Sequence, residues 1–173
     1  MMWVSDLISK LADAASKNNF NKVKNILNGQ NVTSNVLEYI ARTVAEKGNL
    51  KVFEYVVEKE PSVLQTSYKI SDPPDWDYST TIVHIAASQG NLDIIRYAIQ
   101  KEPSLFEKVD RRKRTIAHAA AENGHVNILW YIAKENPSIL VIKDEKGDTP
   151  CHIAVGKNCM TLLRFLTEKK IVT

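Results

Sequence analysis

Three histidines stand at a fixed interval in this chain, each with a threonine three positions before it: Thr81 and His84, Thr115 and His118, Thr149 and His152. The histidine interval is 34 residues both times. An imidazole beside a hydroxyl is a pairing used to activate nucleophiles, and imidazoles are common metal ligands. Either chemistry needs more than the pair, namely a third group that orients the base or further ligands at metal spacing. The sequence supplies neither. It contains no His-Glu-x-x-His, no Cys-x-x-Cys, no glycine-rich phosphate loop and no Gly-x-Ser-x-Gly. Asp72, Asp75 and Asp77 lack the spacing of a calcium loop. Cys151 and Cys159 read as buried thiols in the last helices rather than as a disulfide. No catalytic, cofactor-binding or metal-binding residue is therefore expected, and the chain does not read as an enzyme.

The interval belongs to something larger than the histidines. Small residues follow each of them, Ala86-Ala87, Ala119-Ala120-Ala121 and Ala154, then Gly90-Asn91, Gly124-His125 and Lys157-Asn158. Aliphatic segments come next: Ile94-Ile95 with Ala98 and Ile99, Ile128-Leu129 with Ile132, Leu162-Leu163 with Phe165 and Leu166. Glu102-Pro103-Ser104 recurs as Asn136-Pro137-Ser138. A period near 34 with apolar residues at i, i+3 and i+4 predicts stacked helix pairs. Alanines let the paired helices approach, and glycine at 48, 90 and 124 suits the turn between them. Pro61, Pro103 and Pro137 mark where each second helix has ended, because proline cannot continue it.

These residues resemble the ankyrin repeat, whose signature is Thr-Pro-Leu-His-x-Ala-Ala, a glycine between two antiparallel helices and a finger with Asp-x-x-Gly. Asp144-Glu145-Lys146-Gly147-Asp148-Thr149-Pro150-Cys151-His152 is the nearest match within the chain, and Val44 to Leu50 fits the helix-turn-helix centre with Arg42 where the histidine would stand. The resemblance implies an all-α solenoid of antiparallel helix pairs with short β-hairpin or loop fingers, in one domain spanning 1–173. Its repeats are read at about 5–30, 35–65, 80–110, 114–144 and 148–169. It also implies that Thr81, His84, Thr115, His118, Thr149 and His152 brace the hairpins and helix starts, within and between repeats. Gly48, Gly90 and Gly124 belong to that same frame.

Departures from the period are where function is expected. Gly48 and Gly90 are 42 residues apart instead of 34, so an enlarged finger is read at 65–79. It offers Tyr68, Trp76 and Tyr78 around Pro73-Pro74 as binding anchors, or else the insertion folds back and packs its tryptophan on the neighbouring finger. The second departure is Asp110-Arg111-Arg112-Lys113-Arg114, where Lys113 stands in the position of Gly147 and implies an altered turn. This basic finger reads first as a solvated tip, and otherwise suits an acidic partner, an anionic surface or an import receptor.

In ankyrin domains the usual contact surface is the concave strip of fingers and first-helix edges. Carried over by position, the fingers contribute Asp77, Tyr78, Arg111, Arg112, Arg114, Glu145, Lys146 and Asp148. The first helices contribute Glu46, Lys47, Ser88, Gln89, Glu122, Asn123 and Lys157. The mixed charge suggests a protein or peptide partner.

A net charge of +3 is too small to imply a nucleic-acid binder, and no apolar run approaches the length of a membrane span. The start, Met1-Met2-Trp3-Val4-Ser5-Asp6, does not read as a secretory signal, so an intracellular, cytoplasmic and monomeric protein is expected. The leading expectation is a non-enzymatic adaptor. One alternative is the partner-binding module of a secreted microbial effector delivered into a host cell, for which abundant Lys, Asn and Ile is a compositional hint. A nucleic-acid-binding or enzymatic protein with an unrecognised site is the alternative from another class.

Overall fold

The computed structural model describes residues 2–17, 19–29, 32–70 and 78–156, together with Arg164. Helices α1 (Met2–Ser16) and α2 (Phe20–Gly29) form one antiparallel pair, followed by α3 (Ser34–Lys47) and α4 (Leu50–Lys59). Helices α5 (Ile82–Ser88) and α6 (Leu92–Lys101) form the next, then α7 (Ile116–Glu122) and α8 (Val126–Glu135), with α9 (Pro150–Gly156) after them. The first helices pack on one another in succession, α1 on α3, α3 on α5, α5 on α7 and α7 on α9. The second helices make the other layer, α2 against α4 and α4 against α6. This is the all-α repeat solenoid that the period implied.

Position in the stack explains the composition of each layer. Residues 82–87 of α5 and 116–121 of α7 are buried without interruption, because a helix wedged between two like neighbours and its own partner has little free face. Alanine at 86, 87, 117, 119, 120 and 121 keeps those contacts close. The second helices bury one stripe each: Val52, Phe53, Val56 and Val57 in α4, Ile94, Ile95 and Ala98 in α6, and Ile128, Leu129, Ile132 and Ala133 in α8. Among the described residues, no helix is long and apolar enough to cross a membrane.

Each proline does more than punctuate. Pro61, Pro103 and Pro137 open short 3-10 turns, Pro61–Leu64, Pro103–Phe106 and Pro137–Val141. Proline is suited to a first helical position, where its missing N–H costs nothing. The turns carry Val63 and Leu64, Leu105 and Phe106, and Ile139 and Leu140 back into the core. Beyond the first turn, strand β1 (Tyr68–Ile70) pairs antiparallel with β2 (Tyr78–Thr80), with Tyr68 opposite Thr80 and Ile70 opposite Tyr78. The finger ahead of α5 is thus a hairpin, whereas those ahead of α7 and α9 are tight loops.

Candidate protein-binding surface

The threonine and histidine pairs occupy helix starts. Thr115 is the N-cap of α7, and its backbone N–H donates to Nδ1 of His118 at 3.0 Å, with the Thr115 hydroxyl 2.9 Å from the same nitrogen. Nδ1 therefore accepts, which leaves the proton on Nε2, and that N–H donates to the Asp148 carbonyl of the next finger at 3.1 Å. His84 repeats the arrangement: Thr81 Oγ1 lies 2.8 Å from Nδ1, and Nε2 reaches the Arg114 carbonyl at 2.8 Å. Burial pushes the His84 pKa down to about 4, against the upward pull of the Arg114 carbonyl and Asp110. Burial likewise lowers His118. His152 keeps the local bonds, with Nδ1 3.2 Å from the Thr149 nitrogen, and its ring is exposed. A neutral imidazole spent on two fixed partners has no capacity left for a substrate or a metal. Among the described residues, no group of three or more His, Cys, Asp or Glu is placed to hold a metal ion.

A second set of ties lies at the opposite end of the helix pairs. The residue after each turn glycine reaches back to the previous pair. Asn49 Nδ2 donates to the Ala15 carbonyl at 3.1 Å, Asn91 Nδ2 to the Ala45 and Glu46 carbonyls at 2.7 and 3.2 Å, and His125 Nε2 to the Ser88 carbonyl at 2.9 Å. These bonds satisfy carbonyls at first-helix C-termini that have no partner within the helix. His84 and His118 are thus held to the finger ahead, and the residue after each turn glycine is held to the helix behind.

The two loop fingers share a turn. Asp110 N–H donates to the Arg114 carbonyl at 2.9 Å and Asp144 N–H to the Asp148 carbonyl at 2.8 Å. The Asp110 carboxylate accepts the Arg112 and Arg114 N–H groups at 2.9 Å each, and Asp144 accepts those of Lys146 and Asp148 at 2.8 and 2.9 Å. Glu145 N–H donates to the Arg112 carbonyl at 2.9 Å, so the tips are joined. Lys113 has φ 59 where Gly147 has φ 86, and it is the one non-glycine residue with positive φ among those described. The turn is therefore not altered: Lys113 takes the left-handed conformation that Gly147 takes in the next finger.

Two residues read as contact points are committed elsewhere. Arg114 is not an open cation of the basic finger: its Nε donates to Asp110 at 3.0 Å, its Nη1 to Glu122 at 2.8 Å, and only 22% of its side chain is exposed. Burial alone would lower its pKa, but pairing with Asp110 and Glu122 raises it overall. Tyr68 is not an anchor at the surface either. It is buried at 6% exposure, its hydroxyl donates to the Val63 carbonyl at 3.0 Å, and burial raises its pKa. This ring packs back on the 3-10 turn of its own repeat, not on the neighbouring finger. Trp76, Asp77 and Lys157 lie outside the described residues, and Tyr78 is placed as the first residue of β2.

The remaining strip residues gather at the ends of the first helices. Lys47, Gln89, Glu122 and Asn123 are exposed, Ser88 and Glu46 half-buried, and Glu46 is paired with Arg42 at 3.0 Å. Arg111, Glu145, Lys146 and Asp148 are exposed on the fingers and Arg112 is half-buried. A further regularity lies on the second helices. Tyr55, Tyr97 and Tyr131 are spaced by 42 and 34 residues, as the turn glycines are. Their rings meet Phe20 at 5.7 Å, Phe53 at 6.1 Å and Phe106 at 6.1 Å. Lys59, Lys101 and Arg96 lie 5.4, 5.5 and 5.1 Å from those ring centroids. The shared offsets were the signal that could have found it.

Comparison with known proteins agrees with this geometry. None of the curated proteins compared matches the chain. A family model described as Ankyrin repeats (3 copies) matches residues 41–140 and, in a second register, 83–173. Carrying that match over most of its length, with the stacked helix pairs and the ties between them, the chain belongs to the ankyrin repeat family, whose repeats indicate a protein–protein interaction module.

Proposed function

We propose that this chain is a non-enzymatic adaptor that holds a protein or peptide partner inside the cell, on the strip formed by its finger tips and the exposed ends of its first helices. One observation carries this reading. In α5 and α7 residues 82–87 and 116–121 are all buried, and the chain then emerges as Ser88 and Gln89 or Glu122 and Asn123, polar and different in each repeat. A scaffold fixed by its interior leaves these edge positions free to differ, which is how a surface acquires a specific partner. The spent histidines and the catalytic motifs missing from the sequence favour binding over chemistry.

The test is capture by cross-linking from the native cell, using the full chain and a triple variant, Lys47→Glu, Gln89→Arg and Asn123→Arg. A control variant carries Asp93→Lys and Glu135→Lys on the second helices. The strip variant should lose the captured protein while the control retains it. Equal capture by all three proteins would overturn the assignment of this face.

A further inference from the structure

Tyr55, Tyr97 and Tyr131 occupy one position in successive second helices, yet their hydroxyls are not served alike. Tyr55 donates to Asn28 Oδ1 at 2.7 Å. Among the described residues, the Tyr97 hydroxyl is the one buried side-chain polar atom without a hydrogen-bond partner. A buried polar group left unpaired is costly, and native folds keep few of them. Burial raises the Tyr97 pKa and Glu58 and Glu54 push it the same way, so the hydroxyl keeps its proton and needs an acceptor.

A cavity of about 220 Å³ lies between α4, the 3-10 turn after it and α6. Tyr97 forms its wall with Val57, Pro61 and Leu64. The next junction shows how such a gap can be closed. Phe106 stands there where Leu64 stands here, offset as Gly90 is from Gly48, and its ring lies against Tyr131 at 6.1 Å. Leu64 brings no ring to Tyr97, which meets Phe53 instead. At the rim are Glu58 and Lys101, both exposed, and Glu102, kept a carboxylate by hydrogen bonds from the Ser104 hydroxyl and N–H. Two carboxylates against one ammonium disfavour an anion, and a cation offers the hydroxyl no acceptor. The volume exceeds that of the roughly 150 Å³ apolar cavity that takes up benzene, so one substituted ring fits.

We propose that this cavity binds a neutral ring-sized group carrying one hydrogen-bond acceptor, as a phenol does, with the walls taking the ring and the Tyr97 hydroxyl donating to its oxygen. Entry is past Glu58 and Lys101, exposed side chains, so no core residue has to move. None of the lining residues belongs to the finger strip, so the site stands whether or not a partner docks on that strip.

The probe is p-cresol, titrated into the full chain and followed by heteronuclear NMR, with toluene, p-toluate and N-acetyltyrosinamide beside it. p-Cresol should shift amides at the ends of α4 and α6. Tyr97→Phe should weaken it by roughly fivefold, the worth of one neutral hydrogen bond, and leave toluene unchanged. Leu64→Phe copies the next junction and should weaken both p-cresol and toluene by roughly tenfold, because the ring fills the space they need. The hydroxyl has no bond to lose, so the urea midpoint of Tyr97→Phe should not fall. The proposal is overturned if p-cresol does not bind, if either substitution leaves its affinity unchanged, or if p-toluate binds as tightly. A lower urea midpoint for Tyr97→Phe would also overturn it, since the hydroxyl would then already be bonded, to water or to Glu58. N-acetyltyrosinamide separates the sources of the ring: binding as tight as that of p-cresol assigns the cavity to a tyrosine side chain of a protein, and its exclusion assigns the cavity to a free small molecule.

Discussion

Replacing Gly90 with alanine tests the tie between neighbouring pairs more sharply than any surface change. Gly90 has φ 83, and a Cβ added there would lie 2.8 Å from Cε1 and Nδ1 of His125. Gly124 has φ 72 and nothing within 4 Å of the same added atom. Gly124→Ala should therefore cost only the left-handed penalty, about 1 kcal/mol. Gly90→Ala carries that penalty and must also push the His125 ring aside, although its Nε2 holds the Ser88 carbonyl at 2.9 Å. Losing that bond adds about 1 kcal/mol and the contact itself somewhat more, for a total of roughly 2 to 3 kcal/mol. In a His125→Ala background the obstruction is gone, and Gly90→Ala should return to about 1 kcal/mol. Urea unfolding followed by circular dichroism measures the unsubstituted chain and the four variants, with slopes expected to agree if native compactness is preserved. Equal costs for Gly90→Ala and Gly124→Ala, or strict additivity with His125→Ala, would refute the close-approach argument.

Three further outcomes follow from the same geometry. Burial depresses the folded pKa of His84 to about 4 from its ordinary value of 6.5, so it stays neutral when folded while the unfolded chain takes up a proton. Its contribution is complete above pH 6.5 and is lost as pH falls toward 4; on the order of 2 kcal/mol should be gone by pH 5, and His84→Gln should flatten that slope in pH-dependent urea titrations. Tyr68→Phe removes only the hydroxyl bond to Val63 and should cost about 1 kcal/mol, against roughly 3 or more for Tyr68→Ala, which also opens a cavity; similar values for the two would argue against a packed ring. Arg114→Ala leaves the buried Asp110 carboxylate with two backbone N–H donors but no counter-charge and should cost about 2 kcal/mol, most of it recovered by adding Asp110→Asn; thermal unfolding of the single and double variants reads the difference.

The stacked helix pairs were legible because a solenoid imposes the same burial on every step, so alanines, branched residues and prolines must recur together. Thr115 and His118 could be placed at a helix start for the same reason. The fate of Tyr68 was not legible. An aromatic near a Pro-Pro segment has the same sequence appearance whether its ring faces solvent or meets the Val63 carbonyl. Arg114 was hidden differently, since its partners Asp110 and Glu122 lie four residues before and eight after it and are brought together only by the fold of the finger. Asn91 reaches back 46 residues to Ala45, and that pairing depends on a stacking offset which the 42-residue spacing had disguised. The contact strip could be located by position but not by side-chain state, because ion pairs such as Arg42 with Glu46 form across turns of a helix without altering its pattern.

The pair of ties between the α5–α6 and α7–α8 pairs has a mechanical meaning. A joint pinned at one point can pivot, whereas one pinned at opposite edges, as by His84 to Arg114 and by His125 to Ser88, has its angle set. Successive fingers are then graduations on a ruler whose pitch is decided by the interior. A ligand with the right charges but the wrong stride would meet one graduation and miss the next, so length becomes a criterion of selection that no single surface residue encodes.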